Sequence, residues 1–437
     1  MTSYLLEHAW IEGRVRDTVR VEIEDGRFTQ VEPDSQRPAT PVRGLTLPGL
    51  ANTHSHAFHR ALRGRAQREG GTFWTWRDQM YDVAGRLTPD DYYDLARATY
   101  AEMVAAGHTS VGEFHYLHHQ SDGRPYDDAN AMGHAVIAAA RDVGIRITLL
   151  DTVYLSSGFG APVEGVQRRF SDGDAEQWLI RRADLADELA GQPGVCVGAA
   201  VHSVRAVPRE QLAAAAVLDG DLPLHVHLSE QVAENDECLA RHGVTPTRLL
   251  ADAGLLGATT SVVHATHLTD ADIELLAQRC GFISICPTTE RDLGDGIGPT
   301  DRLRAASCTE LTLGSDSHAV IDPFEEMRAL ELNERLATRA RGGWTAAQLL
   351  QLGTLNGHVS LDWADAGQIA VGCRADLVTL DLVSPRTAGT GADEHTAVFA
   401  ATASDVTQVV IDGRLVFDGD HGRVGRELGT AIGKVWA

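Results

Sequence analysis

The sequence predicts an α/β protein in which a (β/α)8 TIM-type barrel is joined to a small composite β-sandwich built from both termini. The middle of the chain alternates short apolar runs with Ala-, Leu- and Arg-rich stretches, whereas both ends alternate apolar and polar positions. The chain has 437 residues. A barrel of this kind takes roughly 250 residues or more, so the length leaves room for one smaller module.

Residues 1–46 predict the N-terminal part of the β-sandwich. Val19 to Ile23 is a strand-like run, and Glu24-Asp25-Gly26-Arg27 follows it. An Asp-Gly step supplies the positive φ angles of a tight hairpin. The segment is too small to bury a core alone, so we expect it to pack with the other terminus.

Residues 47–366 predict the barrel. Eight apolar runs qualify as strands, and they end near Asn52, His115, Val153, His202, Leu228, His264, Ile285 and Asp316. Eight β/α units imply a closed parallel barrel. The carboxyl ends of its strands converge on one mouth, so residues far apart in sequence become neighbours there.

Residues 367–437 predict the C-terminal part of the β-sandwich. Ala375 to Leu380 and Val409 to Phe417 are strand runs, and the second is folded at its own Asp412-Gly413 turn. The two terminal β segments therefore flank the barrel in sequence and are expected to meet in space.

The charge balance of the chain argues against two classes of binding partner. The chain carries 38 Lys plus Arg against 61 Asp plus Glu, a net charge of −23. This charge disfavours a nucleic acid or an anionic membrane as partner, and no apolar stretch approaches the roughly 18 residues of a membrane span. Scattered cysteines without C-x-x-C spacing and no secretory signal ahead of the first strand predict a cytoplasmic protein.

Lysine is nearly absent, because Lys434 is the one lysine of the chain. A Schiff-base lysine in the core, a Walker-type phosphate loop and a carbamylated lysine bridging two metals are thereby excluded from the barrel. The composition therefore favours a single metal ion.

Histidine and carboxylate residues stand at four predicted strand ends. His54 and His56 are two residues apart, so in a strand both rings face the same way. His227 with Glu230, then His264, then Asp316 follow at later strand ends. Nitrogen and carboxylate ligands without thiolate are typical of a hydrolytic zinc site.

These segments resemble the amidohydrolase superfamily over nearly the whole chain, and within it the deiminases that act on N-formimino-L-glutamate. The matching strings are Asn52-Thr53-His54-Ser55-His56-Ala57-Phe58, Phe73-Trp74-Thr75-Trp76-Arg77, His225-Val226-His227-Leu228-Ser229-Glu230-Gln231, Val263-His264-Ala265-Thr266-His267, Cys286-Pro287-Thr288-Thr289-Glu290 and Gly314-Ser315-Asp316-Ser317-His318.

The resemblance implies that one zinc ion is held by four side chains: His54, His56, His227 and Asp316. It further implies that Glu230 shuttles protons and that His264 polarises the bond under attack. Chemistry agrees, since Asp316 would touch both metal and water, and Glu230 leaves the same strand as His227. Iron(II) is an alternative occupant.

The resemblance also implies that Arg77, Tyr116, His202 and Arg205 bind the two carboxylates of a small dianionic substrate. Local cations are needed for an anion to enter a protein of net charge −23, and Arg binds carboxylates in a fork. His59 stands at the position where the family carries a Gln that contacts the formimino group.

The expected activity is zinc-dependent deimination of N-formimino-L-glutamate in histidine catabolism, by a cytoplasmic homodimer. A ring aminohydrolase, guanine deaminase-like or chlorohydrolase-like, is the alternative, although such relatives usually place Ser-Asn after the Cys286-Pro287 step. A hypothesis from another class of protein is a non-catalytic barrel scaffold. Such proteins lose metal ligands, and none is missing from this sequence.

Plainer interpretations exist for two of the site residues. Glu230 could be a carboxylate at the start of a helix, and Arg77 could belong to an aromatic string that packs a helix.

Overall fold

A computed structural model describes residues 2–67, 71–216, 221–306 and 309–437. Within these ranges the strands are β1 (Thr2–Ile11), β2 (Arg14–Glu24), β3 (Arg27–Glu32), β4 (Thr40–Pro48), β5 (Leu50–Ser55), β6 (His108–His115), β7 (Arg146–Val153), β8 (Val195–Val201), β9 (Leu224–Leu228), β10 (Thr260–His264), β11 (Phe282–Ile285), β12 (Glu310–Leu313), β13 (Leu377–Leu380), β14 (Val406–Ile411) and β15 (Arg414–Phe417).

The helices follow the strands on the outside of the barrel or cover its ends. They are α1 (Phe73–Arg86), α2 (Pro89–Ala105), α3 (Ala131–Val143), α4 (Ala175–Leu189), α5 (Arg209–Ala215), α6 (Val232–His242), α7 (Pro246–Asp252), α8 (Asp270–Arg279), α9 (Pro287–Leu293), α10 (Thr300–Ala306), α11 (Pro323–Thr338), α12 (Ala346–Gln351), α13 (Gly357–Ser360), α14 (Glu394–Phe399) and α15 (His421–Val435). Across the described ranges, no helix is both long enough and apolar enough to cross a membrane.

Strands β5 to β12 form one parallel sheet in sequence order, and its two edges meet at the mouth. Ser55 and Asp316 form a parallel bridge there. The carbonyl of His54 accepts hydrogen bonds from the amides of Ser315 and Asp316 at 3.1 and 2.9 Å. The predicted (β/α)8 barrel is confirmed.

The first barrel strand extends beyond its predicted end at Asn52. It runs to Ser55, although Asn52 and Thr53 are polar, because both side chains are buried with partners. Asn52 Nδ2 donates to Ser315 Oγ at 2.7 Å, and Thr53 Oγ1 lies 2.7 Å from Ser284 Oγ. Polar side chains whose hydrogen bonds are satisfied can stay buried, so a barrel strand can continue past the point where its apolar run ends.

The remaining seven strands form one mixed sheet in the order β15-β14-β13-β4-β1-β2-β3. Strand β4 pairs with β1 in parallel and with β13 in antiparallel, so it joins the contributions of the two termini. Both predicted Asp-Gly turns are present, with positive φ at Asp25, Gly26, Asp412 and Gly413. The expected meeting of the two terminal segments is therefore observed.

The last helix packs against the barrel. Helix α15 lies on α2, and Arg97 Nη1 is 3.2 Å from Glu427 Oε2 between them. Helix α2 begins with Pro89 after Thr88, whose hydroxyl caps the amide of Asp91 at 3.2 Å. Such a cap satisfies an amide that has no partner within the helix.

Candidate active site

A cavity of about 660 Å³ opens at the carboxyl ends of the barrel strands. It is the place where a barrel of this type gathers side chains from distant segments. Ten predicted site residues line it: His56, His59, Arg77, Tyr116, His202, Arg205, His227, Glu230, His264 and Asp316. The remaining one, His54, is fully buried, with its ring 4.8 Å from that of His227.

Four of these residues place nitrogen or carboxylate atoms close together. The Nε2 atoms of His54 and His227 are 3.0 Å apart. Asp316 Oδ1 lies 3.4 Å from His54 Nε2 and 3.3 Å from His56 Nε2. Donors bound to one tetrahedral zinc at about 2.0–2.1 Å stand about 3.3 Å from one another. His54, His227 and Asp316 therefore lie in one group of potential metal donors, and His56 approaches the same Asp316 oxygen from a neighbouring group that includes His59.

Hydrogen bonds orient two of the imidazoles. His56 Nδ1 lies 3.0 Å from the carbonyl of Phe114, and His227 Nδ1 lies 2.9 Å from the carbonyl of His202. A ring that donates from Nδ1 to a carbonyl keeps a lone pair on Nε2, which faces the cluster. Three imidazoles and one carboxylate fit a hydrolytic zinc ion, so the residues present suit the expected metal.

His264 is a further donor in the same cluster. Its Nε2 atom is 3.7 Å from Asp316 Oδ2 and 3.9 Å from Glu230 Oε1. Its Nδ1 atom is 3.3 Å from Glu290 Oε1, which also accepts a hydrogen bond from the amide of Cys286 at 2.9 Å. His264 thus faces the second oxygen of Asp316 and lies between two glutamates.

Several non-glycine residues at the mouth have left-handed backbone angles, and three of them are proposed site residues or adjoin one. The φ values are 50° at Ser229, 71° at His264 and 43° at Asp316. Such conformations cost on the order of 1–3 kcal/mol for non-glycine residues and persist where the surroundings enforce them, often at functional sites. Here Ser229 follows β9 and precedes Glu230, His264 is the last residue of β10, and Asp316 follows β12.

Burial and charge perturb the proton affinities of this group. Burial raises the pKa of Glu230, with His264 and Arg205 opposing it. Burial would lower the pKa of His264, but Glu230 and Glu290 outweigh it and raise the pKa to about 10. Burial would raise the pKa of Asp316, but hydrogen bonds from His54 and His56 hold it well below 3.8. A raised carboxyl pKa suits a group that delivers a proton near neutral pH.

His59 and Tyr116 form a pair in the wall of the cavity. His59 Nε2 is 2.9 Å from Tyr116 Oη, and His59 Nδ1 is buried without a hydrogen-bond partner in the described part of the chain. Burial lowers the pKa of His59 well below 6.5, so the ring is neutral. A neutral ring can donate or accept one hydrogen bond from Nδ1.

Two arginines and His202 complete the wall. Arg77 on α1 lies over the rings of Trp74 and Tyr81, at 4.5 and 5.4 Å from their centroids. Among the described residues its guanidinium has no carboxylate within 4.0 Å. Arg205 also lines the cavity, near His202, whose pKa burial lowers well below 6.5. The aromatic residues before Arg77 therefore do pack, as in the plainer interpretation. They also position the Arg77 guanidinium in the wall of the cavity.

Two acidic residues that the sequence reasoning missed support these side chains. Glu234 has both carboxylate oxygens buried and lies 3.4 Å from Arg205 Nε. Glu290 holds His264, as described above. Glu234 follows Glu230 by four residues and stands in the first turn of α6, and Glu290 closes a string already singled out. These two positions in the sequence are the signals by which Glu234 and Glu290 could have been identified.

Comparisons with known proteins agree with this geometry. The chain matches the amidohydrolase family over residues 45–416. It is 38% identical over 440 aligned positions to formimidoylglutamate deiminase of Pseudomonas aeruginosa, covering 96% of each chain. It is 28% identical over 379 positions to 5-methylthioadenosine/S-adenosylhomocysteine deaminase of Halobacterium salinarum, covering 85% of this chain and 81% of that protein.

A solved structure has the same fold over the full length. The crystal structure of an amidohydrolase from Brucella melitensis superposes with a TM-score of 0.92 at 32% identity, and the match covers 100% of both chains. The family match spans both the barrel and strands of the mixed sheet. The chain therefore belongs to the amidohydrolase family.

Proposed function

We propose that the protein is a zinc-dependent deiminase that converts N-formimino-L-glutamate and water to N-formyl-L-glutamate and ammonia, a reaction of histidine degradation. One observation carries the proposal: Arg77 and Arg205 line the same enclosed cavity as the His and Asp cluster. The reacting amidine and two carboxylates of one small substrate can therefore be bound together. The relative that is 38% identical carries the name of this activity.

In this proposal His54, His56, His227 and Asp316 hold one metal ion, with zinc preferred over iron(II). When bound there, zinc acts as a Lewis acid that lowers the pKa of water toward about 7. His264 belongs to the same donor group as His54, His227 and Asp316. We assign it to the substrate, because its Nε2 atom lies nearer Asp316 Oδ2 and Glu230 while His54 and His56 share Asp316 Oδ1.

The chain's own residues move the protons. Asp316 takes a proton from the attacking water, since its Oδ2 atom faces the cavity side of the cluster near His264. His264 donates a hydrogen bond to the substrate and stabilises charge as the C=N bond becomes single. Glu230 protonates the imino nitrogen as water attacks, and the proton held by Asp316 then converts the resulting amino group into ammonia, because that group would leave poorly as an amide anion. The hydroxyl proton of the adduct returns to Glu230 as the C=O bond forms. Water supplies the oxygen, and the C–N bond breaks.

Binding in this proposal uses two arginines of the cavity wall. Arg77 and Arg205 each hold a carboxylate, with Tyr116 and His202 as hydrogen-bonding partners. The Nδ1 atom of neutral His59 contacts the formimino group, in the place of the family's Gln. Burial makes each of these interactions stronger than it would be in water.

A ring aminohydrolase is the second candidate, because the 28% identical relative deaminates adenine nucleosides by its name. A flat neutral base does not need two guanidinium groups. After Cys286-Pro287 the chain has Thr288-Thr289-Glu290, and Glu290 is bonded to His264 and the amide of Cys286. Glu290 is not among the residues that line the active-site cavity, so it is not placed to bind a ring edge.

Ammonia release from a substrate panel tests the proposal. The panel contains N-formimino-L-glutamate, N-formimino-L-aspartate, guanine, cytosine and 5-methylthioadenosine, each assayed at equal concentration with metal-loaded protein. We expect formimino-glutamate to have the largest kcat/KM and the neutral rings to be poor substrates. Efficient turnover of a ring with none of formimino-glutamate would replace the deiminase with a ring aminohydrolase.

A further inference from the structure

A second cavity lies beside the active-site cavity and shares Ser156 and Arg205 with it. It is an open cleft of about 890 Å³, and its lining includes Arg209, Arg241 and His242. We call this cavity the vestibule. Arg205 therefore stands at the boundary between the vestibule and the site where the substrate is proposed to bind.

The basic side chains of the vestibule are exposed and close together. Within the described ranges, neither Arg209 nor Arg241 has a carboxylate within 4.0 Å. The guanidinium of Arg241 lies over Gly160, where an added β-carbon would stand 2.6 Å from its Nη2 atom. The rings of Phe159 and His242 are 5.7 Å apart and join the loop after β7 to α6. Burial lowers the pKa of His242, the charges of Arg209 and Arg241 lower it further, and Glu210 opposes them.

We propose that the vestibule is an electrostatic entrance that attracts the carboxylates of the anionic substrate and passes them to Arg205. The protein carries a net charge of −23, so its overall field repels a dianion. A local basic cleft can focus the opposite field and raise association rates by about 10- to 1,000-fold. The inference rests on the proposed function, because it requires an anionic substrate.

Charge-reversal variants in the holoenzyme test the vestibule. The double variant Arg209→Glu with Arg241→Glu is compared with Arg279→Glu and Arg341→Glu, which makes the same change in net charge at exposed positions lining neither cavity. Ammonia release from formimino-glutamate is measured at low salt and at about 0.5 M salt, where the Debye length is only a few ångströms. We expect the vestibule pair to lose about tenfold or more in kcat/KM at low salt, with kcat unchanged.

The loss should disappear at high salt, and the control pair should change kcat/KM by less than about twofold. Glu210, the acidic residue of the vestibule, supplies a converse test: Glu210→Arg should raise kcat/KM at low salt. Equal losses in both double variants, or a loss that persists at high salt, would overturn the vestibule. A parent enzyme that is inactive on formimino-glutamate would refute the proposed function at the first assay, before any variant is compared.

Discussion

Arg205 is bound to Glu234 inside the wall of the active-site cavity. The Nε atom of Arg205 lies 3.4 Å from Glu234 Oε2, whose side chain has no exposed surface, while Arg205 Nη2 lies 3.8 Å from Glu230 Oε2. One acid thus pairs with the arginine, and a second acid, Glu230, which we propose to be catalytic, adjoins it. The guanidinium is positioned before any substrate carboxylate arrives, which reduces the entropy lost on binding.

Substitution of Arg205 should weaken substrate binding without removing the metal. Arg205→Met eliminates a buried charge that is proposed to meet a carboxylate, and such a loss is worth roughly 3–5 kcal/mol. We expect kcat/KM for formimino-glutamate to fall about a hundredfold or more, mainly through KM. Steady-state kinetics and metal analysis of the same preparation check this.

A matched variant separates binding from stability. Arg205→Met leaves Glu234 buried without a cation, so some of its effect is loss of folding free energy. The double variant Arg205→Met with Glu234→Gln should regain thermal stability but keep the high KM. Recovery of KM together with stability would show that Arg205 has only a structural role.

Substitution of Glu230 should abolish proton transfer while preserving the site. Glu230→Gln keeps the shape of the side chain and cannot deliver a proton, so kcat should fall on the order of 10² to 10⁴. Metal content and melting temperature should match the parent protein. Unchanged turnover would leave Glu230 as a helix-start carboxylate without a catalytic role.

The protein should bind about one divalent metal ion per chain. The proposed donors converge on the one carboxylate of Asp316, which leaves no second carboxylate or lysine in that set to bridge two ions, and the one lysine of the chain, Lys434, is exposed near the C-terminus. His227→Ala should lose most of the metal, whereas His225→Ala, two residues deeper in β9, should keep it. Elemental analysis of protein purified without added metal gives the stoichiometry, and two equivalents needed for activity would contradict a single site.

A buried ion pair between the two sheets should dominate acid stability. Arg146 and Asp376 are bonded to each other with side chains only 2% and 1% exposed. Burial would raise the pKa of Asp376, but Arg146 outweighs it and lowers the pKa below 3.8. The stability contributed by a depressed carboxyl pKa is complete above the unfolded-state value and is lost as the pH falls through the folded-state value.

We therefore expect Arg146→Met to lower the free energy of unfolding by about 3–5 kcal/mol at neutral pH, measured by urea denaturation. Arg374→Met, a more exposed arginine that contacts Asp412 at 3.1 Å, is the control and should cost about 1 kcal/mol or less. If Arg146→Met does not fold, Arg146→Met with Asp376→Leu should restore folding. Equal effects of the two single arginine variants would show that the pair has no special role.

Much of the fold and of the donor cluster could be predicted from local sequence. His115, Val153, Leu228, His264 and Ile285 are strand ends in the prediction and in the structure alike. Buried parallel strands are continuous apolar runs, so their ends are visible wherever polarity changes. That rule fails at Asn52, because the polar residues beyond it remain buried by bonding across the closed barrel.

The sequence by itself determined that histidine and carboxylate side chains stand at the carboxyl ends of parallel strands, because strand periodicity and burial are properties of neighbouring residues. Only the tertiary structure decided which acid holds which cation. Arg205 with Glu234, and His264 with Glu290, are joined across 29 and 26 positions of the chain. Those distances depend on barrel closure and on left-handed turns such as the one at His264, which no local pattern encodes.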